Sequence, residues 1–169
     1  MAKVLIGLGS NLGNRSTWIN QACQSLETHP DIICLQRSSL YETEPESVKP
    51  LDSGEAAPWF INAVLLLETS LMPRELLQVC MSVEKELGRK RSGIRISPNK
   101  LYESRTIDID LLFYDDLIID EPDLVLPHPR LHERQFVLKP LAEILPTWQH
   151  PVLGKQIVEL LARFELIYA

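Results

Sequence analysis

Cysteine is scarce: Cys23, Cys34 and Cys80 are odd in number, widely spaced and set in apolar patterns. That leaves no basis for a disulfide framework or a zinc site and reads as reduced core thiols. No apolar run approaches the length a bilayer-crossing helix needs, so a membrane span is excluded. Aromatic residues make up only 7% of the chain, and positive charge is in deficit, 17 Lys and Arg against 23 Asp and Glu. A net charge of -6 weighs against a general nucleic-acid surface, which wants a basic face. The N-terminal MAKVLIGLGSN has one Lys and a brief apolar run that enters a turn, more a first strand than a secretory signal, and a cytoplasmic location is the expectation.

What is present suits one soluble domain over residues 1–169, long enough to bury roughly 70% of its unfolded surface unaided. Lys3 to Leu8 reads as a strand followed by a GSNLGNR turn. Gly7, Gly9 and Gly13 miss the dinucleotide fingerprint by one residue, its third glycine falling at Leu12, which rejects a Rossmann reading. Helical spacing predicts a helix over Ser16 to Thr28, and Asp31 to Tyr41 suggests a strand. The Pro-, Glu- and Ser-rich run from Glu42 to Trp59 reads as a long loop, and such loops tend to be functional. FINAVLLLET, Phe60 to Thr69, is the clearest strand; Pro73 opens a helix to Leu87, with Gly88 as its stop. With a strand around Asp108, the order βαββαβ is the ferredoxin-like arrangement: an α+β sandwich of an antiparallel sheet and helices, extended here by a C-terminal helix over Lys155 to Phe164.

RTIDIDLLFY, Arg105 to Tyr114, is the anomaly. Strand alternation puts Asp108 and Asp110 on one face, roughly 7 Å apart, with Ile107, Ile109 and Leu111 on the other. Paired carboxylates repel and call for a cation between or beside them, unless they merely keep an exposed sheet face soluble. Just upstream, Arg89, Lys90, Arg91, Arg95, Lys100 and Arg105 stand against the single acid Glu103. An acidic pair beside arginines suits a phosphoanhydride substrate: carboxylates hold Mg²⁺, arginines grip phosphate oxygens, and no nucleophilic side chain is required.

GLGSNLGNR, FINAV, VEKELGR, RTIDIDLLFY and LPHPRLHERQFVLKPLAEI, in that order, resemble the 6-hydroxymethyl-7,8-dihydropterin pyrophosphokinase family of folate biosynthesis. The resemblance spans nearly the whole chain. It implies transfer of pyrophosphate from ATP, the co-substrate, to the pterin hydroxymethyl group with release of AMP, two Mg²⁺ ions and the ferredoxin-like fold. It makes Asp108 and Asp110 the magnesium ligands and Arg89 and Arg105 the catalytic arginines. Glu84, Arg91, His128 and Arg134 fall at nucleotide-side positions; Thr43, Pro45, Phe60, Asn62 and Phe136 fall on the pterin side, with both phenylalanines stacking on the ring. Without the resemblance, the phenylalanines read as core, Asn62 as a satisfied buried amide and His128 as a turn histidine. The partners it implies are ATP and the pterin alone, with no nucleic acid or membrane, and a monomer. Two rivals remain on the same sheet: an RNA- or nucleotide-binding module, and another two-metal phosphotransferase or nuclease.

Overall fold

The computed structural model describes residues 1–44, 54, 58–88 and 106–168. Its main sheet contains β1 (Ala2–Ser10), β2 (Ile32–Arg37), β3 (Tyr41–Thr43), β4 (Phe60–Thr69) and β5 (Asp108–Tyr114). The strand order is β2-β4-β1-β5, with β3 continuing along β4 beside β2, and every pairing is antiparallel. Helices α1 (Arg15–Glu27) and α2 (Pro73–Glu86) follow β1 and β4. This is the expected ferredoxin-like order, with β2 and β3 together taking the place of its second strand.

Two cores sandwich the sheet. On one face Val4, Ile6, Leu8, Ala63, Leu65, Leu67, Ile107, Ile109 and Leu111 pack with Ile19, Leu26, Leu76 and Cys80 of α1 and α2. The isoleucine side of the aspartate strand is therefore inside, as alternation requires. On the other face Leu5, Val64, Leu66, Leu112 and Phe113 pack beneath α3 (Gln135–Ile144) and α4 (Ile157–Tyr168). A β-bulge opposite Leu5 and Ile6 inserts Leu112 into β5, so that Leu112 and Phe113 both face this second core.

Several boundaries differ from the sequence reading. The strand expected over Asp31 to Tyr41 is split at residues 38–40, where the Ser39 N–H donates to both carboxylate oxygens of Glu143 on α3, at 2.8 and 3.0 Å. Tyr41 also donates its hydroxyl to Glu143 at 2.8 Å. The terminal helix starts two residues later than expected, at Ile157, since Lys155 O accepts from His150 N at 2.8 Å and Gln156 bridges to Gln149. The turn that the sequence places at Tyr114-Asp115-Asp116 is present, with Leu117 N donating to Tyr114 O at 3.0 Å; beyond it the chain, unassigned from sequence, forms a hairpin of β6 (Ile119–Glu121) and β7 (Leu124–Leu126), then a 3-10 turn (Leu131–Glu133) leading into α3. Gly88 does stop α2: it adopts φ 94° just after the helix. Cys23 and Cys80 are buried free thiols, and Cys34 is half-buried. Among the described residues no helix is long and apolar enough to cross a membrane.

His150 is buried at the edge of the second core, where its ring meets Phe113 edge-on at 5.5 Å between centroids. Its Nδ1 accepts from Val152 N and Leu153 N, so the ring must keep that lone pair. Burial, and secondarily His132, pulls its pKa down to about 4. The unfolded value lies near 6.5, so the stability it contributes is complete above about pH 6.5 and is lost as the pH falls towards the folded value. We expect His150→Gln to flatten the fall in thermal midpoint between about pH 6.5 and 4 relative to wild type; parallel pH profiles would contradict this role.

Candidate active site

The site is built on strand register. Gly9 of β1 pairs with Asn62 of β4 on one side and with Asp108 of β5 on the other, and Asn62 pairs in turn with Tyr41 of β3. One row across the sheet therefore reads Tyr41, Asn62, Gly9, Asp108. The row two residues along β1 reads Val64, Gly7, Asp110. Paired residues project to the same face, so both carboxylates share a face with Asn62, Val64 and the second core. Thr43 pairs with Phe60 and shares that face as well.

Glycine leaves room at the centre of this surface, most tightly at position 9. A Cβ on Gly9 would lie 3.1 Å from Asn62 Oδ1 and 3.7 Å from Phe60 Cδ1, and one on Gly7 would touch Leu112 at 3.5 Å. The open position lets Asn62, only 7% exposed, turn its amide to donate to Thr43 Oγ1 at 2.7 Å. The side chains of Asp108 and Asp110 are half-buried beyond it.

Helix α3 crosses the face. Glu143 near its C-terminal end holds Ser39 and Tyr41, and the Ser39 N–H is the chief cause that keeps its carboxyl below the usual range. At its other end Arg134 caps the helix and lies 5.5 Å from the centre of the Phe136 ring, a cation–π contact. His128 is fixed in the turn before: its N–H donates to Leu112 O at 2.9 Å, and its Nδ1 accepts from Arg130 N at 3.2 Å. Burial lowers its pKa to about 4, with Arg134 adding to the fall and Asp108 opposing it. With Nδ1 accepting, the neutral ring carries its proton on Nε2.

Glu84 is buried on α2, and its Oε2 accepts from Ile109 N at 3.4 Å, between the two aspartates along β5. Burial, then Glu84 and Asp110, pushes the Cys80 thiol up to about 12, so that thiol is inert. Arg89, Arg91, Arg105 and Pro45 lie outside the described residues. The residues flanking the basic segment are joined: Thr106 Oγ1 donates to Leu87 O at 3.1 Å.

The structure thus brings Thr43, Phe60, Asn62, Asp108 and Asp110 to one face of the sheet, under a helix whose start carries Arg134 and Phe136. Sequence reasoning passed over Gly7 and Gly9 once the dinucleotide fingerprint failed. Their spacing of two in a strand, matching the spacing of the aspartates, was the available signal. It also passed over Glu143, which nothing local in the sequence distinguishes from a solvated helix residue.

The profile of the family described as 7,8-dihydro-6-hydroxymethylpterin-pyrophosphokinase matches residues 5–146. The chain belongs to that family. Among relatives, a 2-amino-4-hydroxy-6-hydroxymethyldihydropteridine pyrophosphokinase of Methylorubrum extorquens is 37% identical over 98% of this chain and 95% of its own length. The Bacillus subtilis protein of the same name is 41% identical over 82% of this chain and 75% of its own. Among solved structures, an HPPK-DHPS in complex with substrates superposes with TM-score 0.75 at 14% identity over 99% of this chain, and Plasmodium falciparum HPPK-DHPS with TM-score 0.72 at 17% identity over 96%. The chain spans only 46% and 42% of those two solved chains, and at such identities they show the pyrophosphokinase fold.

Because a side chain at position 9 would crowd Asn62, Gly9→Ala is expected to shift the side-chain amide resonances of Asn62 while leaving a folded spectrum. Unmoved Asn62 resonances in the folded variant would show that the row has room for a methyl group.

Proposed function

We propose that this protein transfers pyrophosphate from ATP to the hydroxymethyl oxygen of 6-hydroxymethyl-7,8-dihydropterin. That oxygen bonds to the β-phosphorus, the bond from the β-phosphorus to the oxygen of the α-phosphoryl group breaks, AMP leaves, and the hydroxyl proton passes to solvent. The observation that carries the reading is the shared face of Asn62, Asp108 and Asp110 across the glycine row, in a chain of this family.

The donor set fits magnesium. Among the described residues no cluster of three or more His, Cys, Asp or Glu side chains could hold a metal ion. Two carboxylates are what Mg²⁺ takes when substrate phosphates and waters complete its octahedron. Asp108 and Asp110 would hold two such ions, which when bound supply Lewis-acid neutralisation of the phosphate chain.

The chain's own groups do the rest. Phe60 and Phe136 stack on the flat pterin, and Asn62, held at its other end by Thr43, reads the heterocycle's edge. Thr43 and Pro45 belong to this pterin side. His128 donates its Nε2–H to a phosphate oxygen without adding charge, and Arg134 adds a guanidinium beside it. Glu84 and Arg91 complete the nucleotide side, Glu84 by fixing the backbone of the aspartate strand. Arg89 and Arg105 offset the charge that develops on the transferred group. We further propose a single domain over residues 1–169, acting as a cytoplasmic monomer on these two small molecules.

The test is an assay of purified protein with ATP, Mg²⁺ and 6-hydroxymethyl-7,8-dihydropterin, following products by chromatography with EDTA as control. Equimolar AMP and pterin diphosphate that vanish with EDTA are expected; ADP instead of AMP would mean transfer of one phosphoryl group and refute the reading. Asp108→Ala is expected to abolish turnover while the fold persists, because removing one of two crowded carboxylates relieves repulsion. Full activity in that variant would remove Asp108 from the site. Phe136→Ala is expected to weaken pterin binding more than ATP binding by calorimetry, and equal losses would contradict the stacking role.

A further inference from the structure

On the face of the sheet opposite the proposed active site, a second set of side chains converges on the same strands. Strand alternation turns Glu42 and Ile61 away from Thr43, Phe60 and Asn62. There Arg15, the first residue of α1, donates from Nη1 to the Trp59 carbonyl at 2.8 Å and from Nη2 to the Glu42 carboxylate at 3.4 Å. Asn11, fully buried, donates its amide to the Pro58 carbonyl at 3.2 Å. Pro58 and Trp59 are the two residues that lead into β4. One guanidinium thus ties β3 to the entry of β4 from behind.

We propose, on the strength of the pterin-binding role given above to Thr43, Phe60 and Asn62, that Arg15 is a positioning residue for the pterin subsite, with Asn11 as its companion. The three substrate-facing residues sit on short or terminal strand segments: β3 has three residues, and Phe60 is the first of β4. Such ends fray unless their backbone is held. The Arg15 fork fixes the backbone at Trp59, one residue from Phe60, and the side chain of Glu42, one residue from Thr43, so it sets the distance between the two sides of the pterin platform. The exposed ion pair to Glu42 contributes little by itself. The charge-assisted bond to a main-chain carbonyl is the stronger contact. A lysine could satisfy either acceptor and could not span both in one plane.

Arg15 does not belong to either core. It borders an open cavity of about 520 Å³ lined by Asn11, Gly13, Arg15, Glu42, Pro58 and Trp59. Its truncation therefore leaves the packing of the sheet in place, and the effect falls on substrate binding.

The experiment compares wild type, Arg15→Ala, Arg15→Lys and Arg74→Ala in steady-state assays with Mg²⁺, varying ATP and 6-hydroxymethyl-7,8-dihydropterin separately. Arg74 is a control for loss of a surface arginine: on α2 it pairs with Glu121 and Asp123, away from this cluster. Arg15→Ala is expected to raise the pterin KM roughly tenfold while the ATP KM and thermal midpoint stay close to wild type. Arg15→Lys should fall between the two, and it carries the same expectation at smaller size if the alanine variant does not fold. Arg74→Ala should move neither KM. An unchanged pterin KM in a folded Arg15 variant, or equal rises in both KM values, would overturn the positioning role alone. A wild type that yields no AMP and pterin diphosphate would overturn the reaction itself, and this role with it.

Discussion

The register of β1 between its two neighbours is the constraint on which the site depends. Gly9 stands between Asn62 and Asp108, and Gly7 between Val64 and Asp110. Because paired residues on an antiparallel sheet point the same way, the amide and both carboxylates are committed to one face as soon as these three strands align. A slip of one residue would exchange them with Leu8, Ala63 and Ile109, which are buried against α1 and α2. Such a slip would place two carboxylates in an apolar core, so the packing that stabilises the fold also fixes the face on which the proposed site lies.

The same strand must then serve a second purpose a few residues on. With regular alternation Phe113 would point to the side of Ile109 and Leu111, leaving the core under α3 and α4 without its largest fully buried side chain. The bulge at Leu112 resets the alternation, and Phe113 reaches Trp148 and His150 in the second core while Tyr114 turns to the first and donates to Leu71 O. One inserted residue separates the half of β5 that carries Asp108 and Asp110 from the apolar half that anchors the second core.

Much of this was legible in the sequence where one local rule dominates. The aspartate strand followed from alternation, α2 from its Pro73 start and Gly88 stop, and the topology from the order of these elements. The misses fall where tertiary contacts override local preference. At the split between β2 and β3 the Ser39 N–H turns to Glu143, more than a hundred residues away in sequence. Helix α3 contains Pro140, which has no N–H to offer a helical partner, and LKPLAEI carries no helix assignment in the sequence reading. The GSNLGNR turn looked like a mere connection, and its Asn11 and Arg15 reach partners that are 47 and 44 residues distant.

Helix α3 joins what the chain order separates. The proposed pterin side comes from β3 and β4, the proposed phosphate side from β5 and the turn at His128, and no connection shorter than half the chain links Thr43 with Arg134. Glu143 fastens the helix to Ser39 and Tyr41, next to Thr43, while Arg134 and Phe136 sit at the opposite end with His128. A single ten-residue helix thus spans from the β2–β3 corner to the residues at its start. Phe136 stands on that helix and Phe60 on the strand beneath, so the gap in which a planar ring would stack is set by how α3 lies on the sheet. Leu138 and Leu141, which share the second core with Val64 and Leu66 and hold α3 down, would therefore bear on the proposed stacking gap as well as on stability.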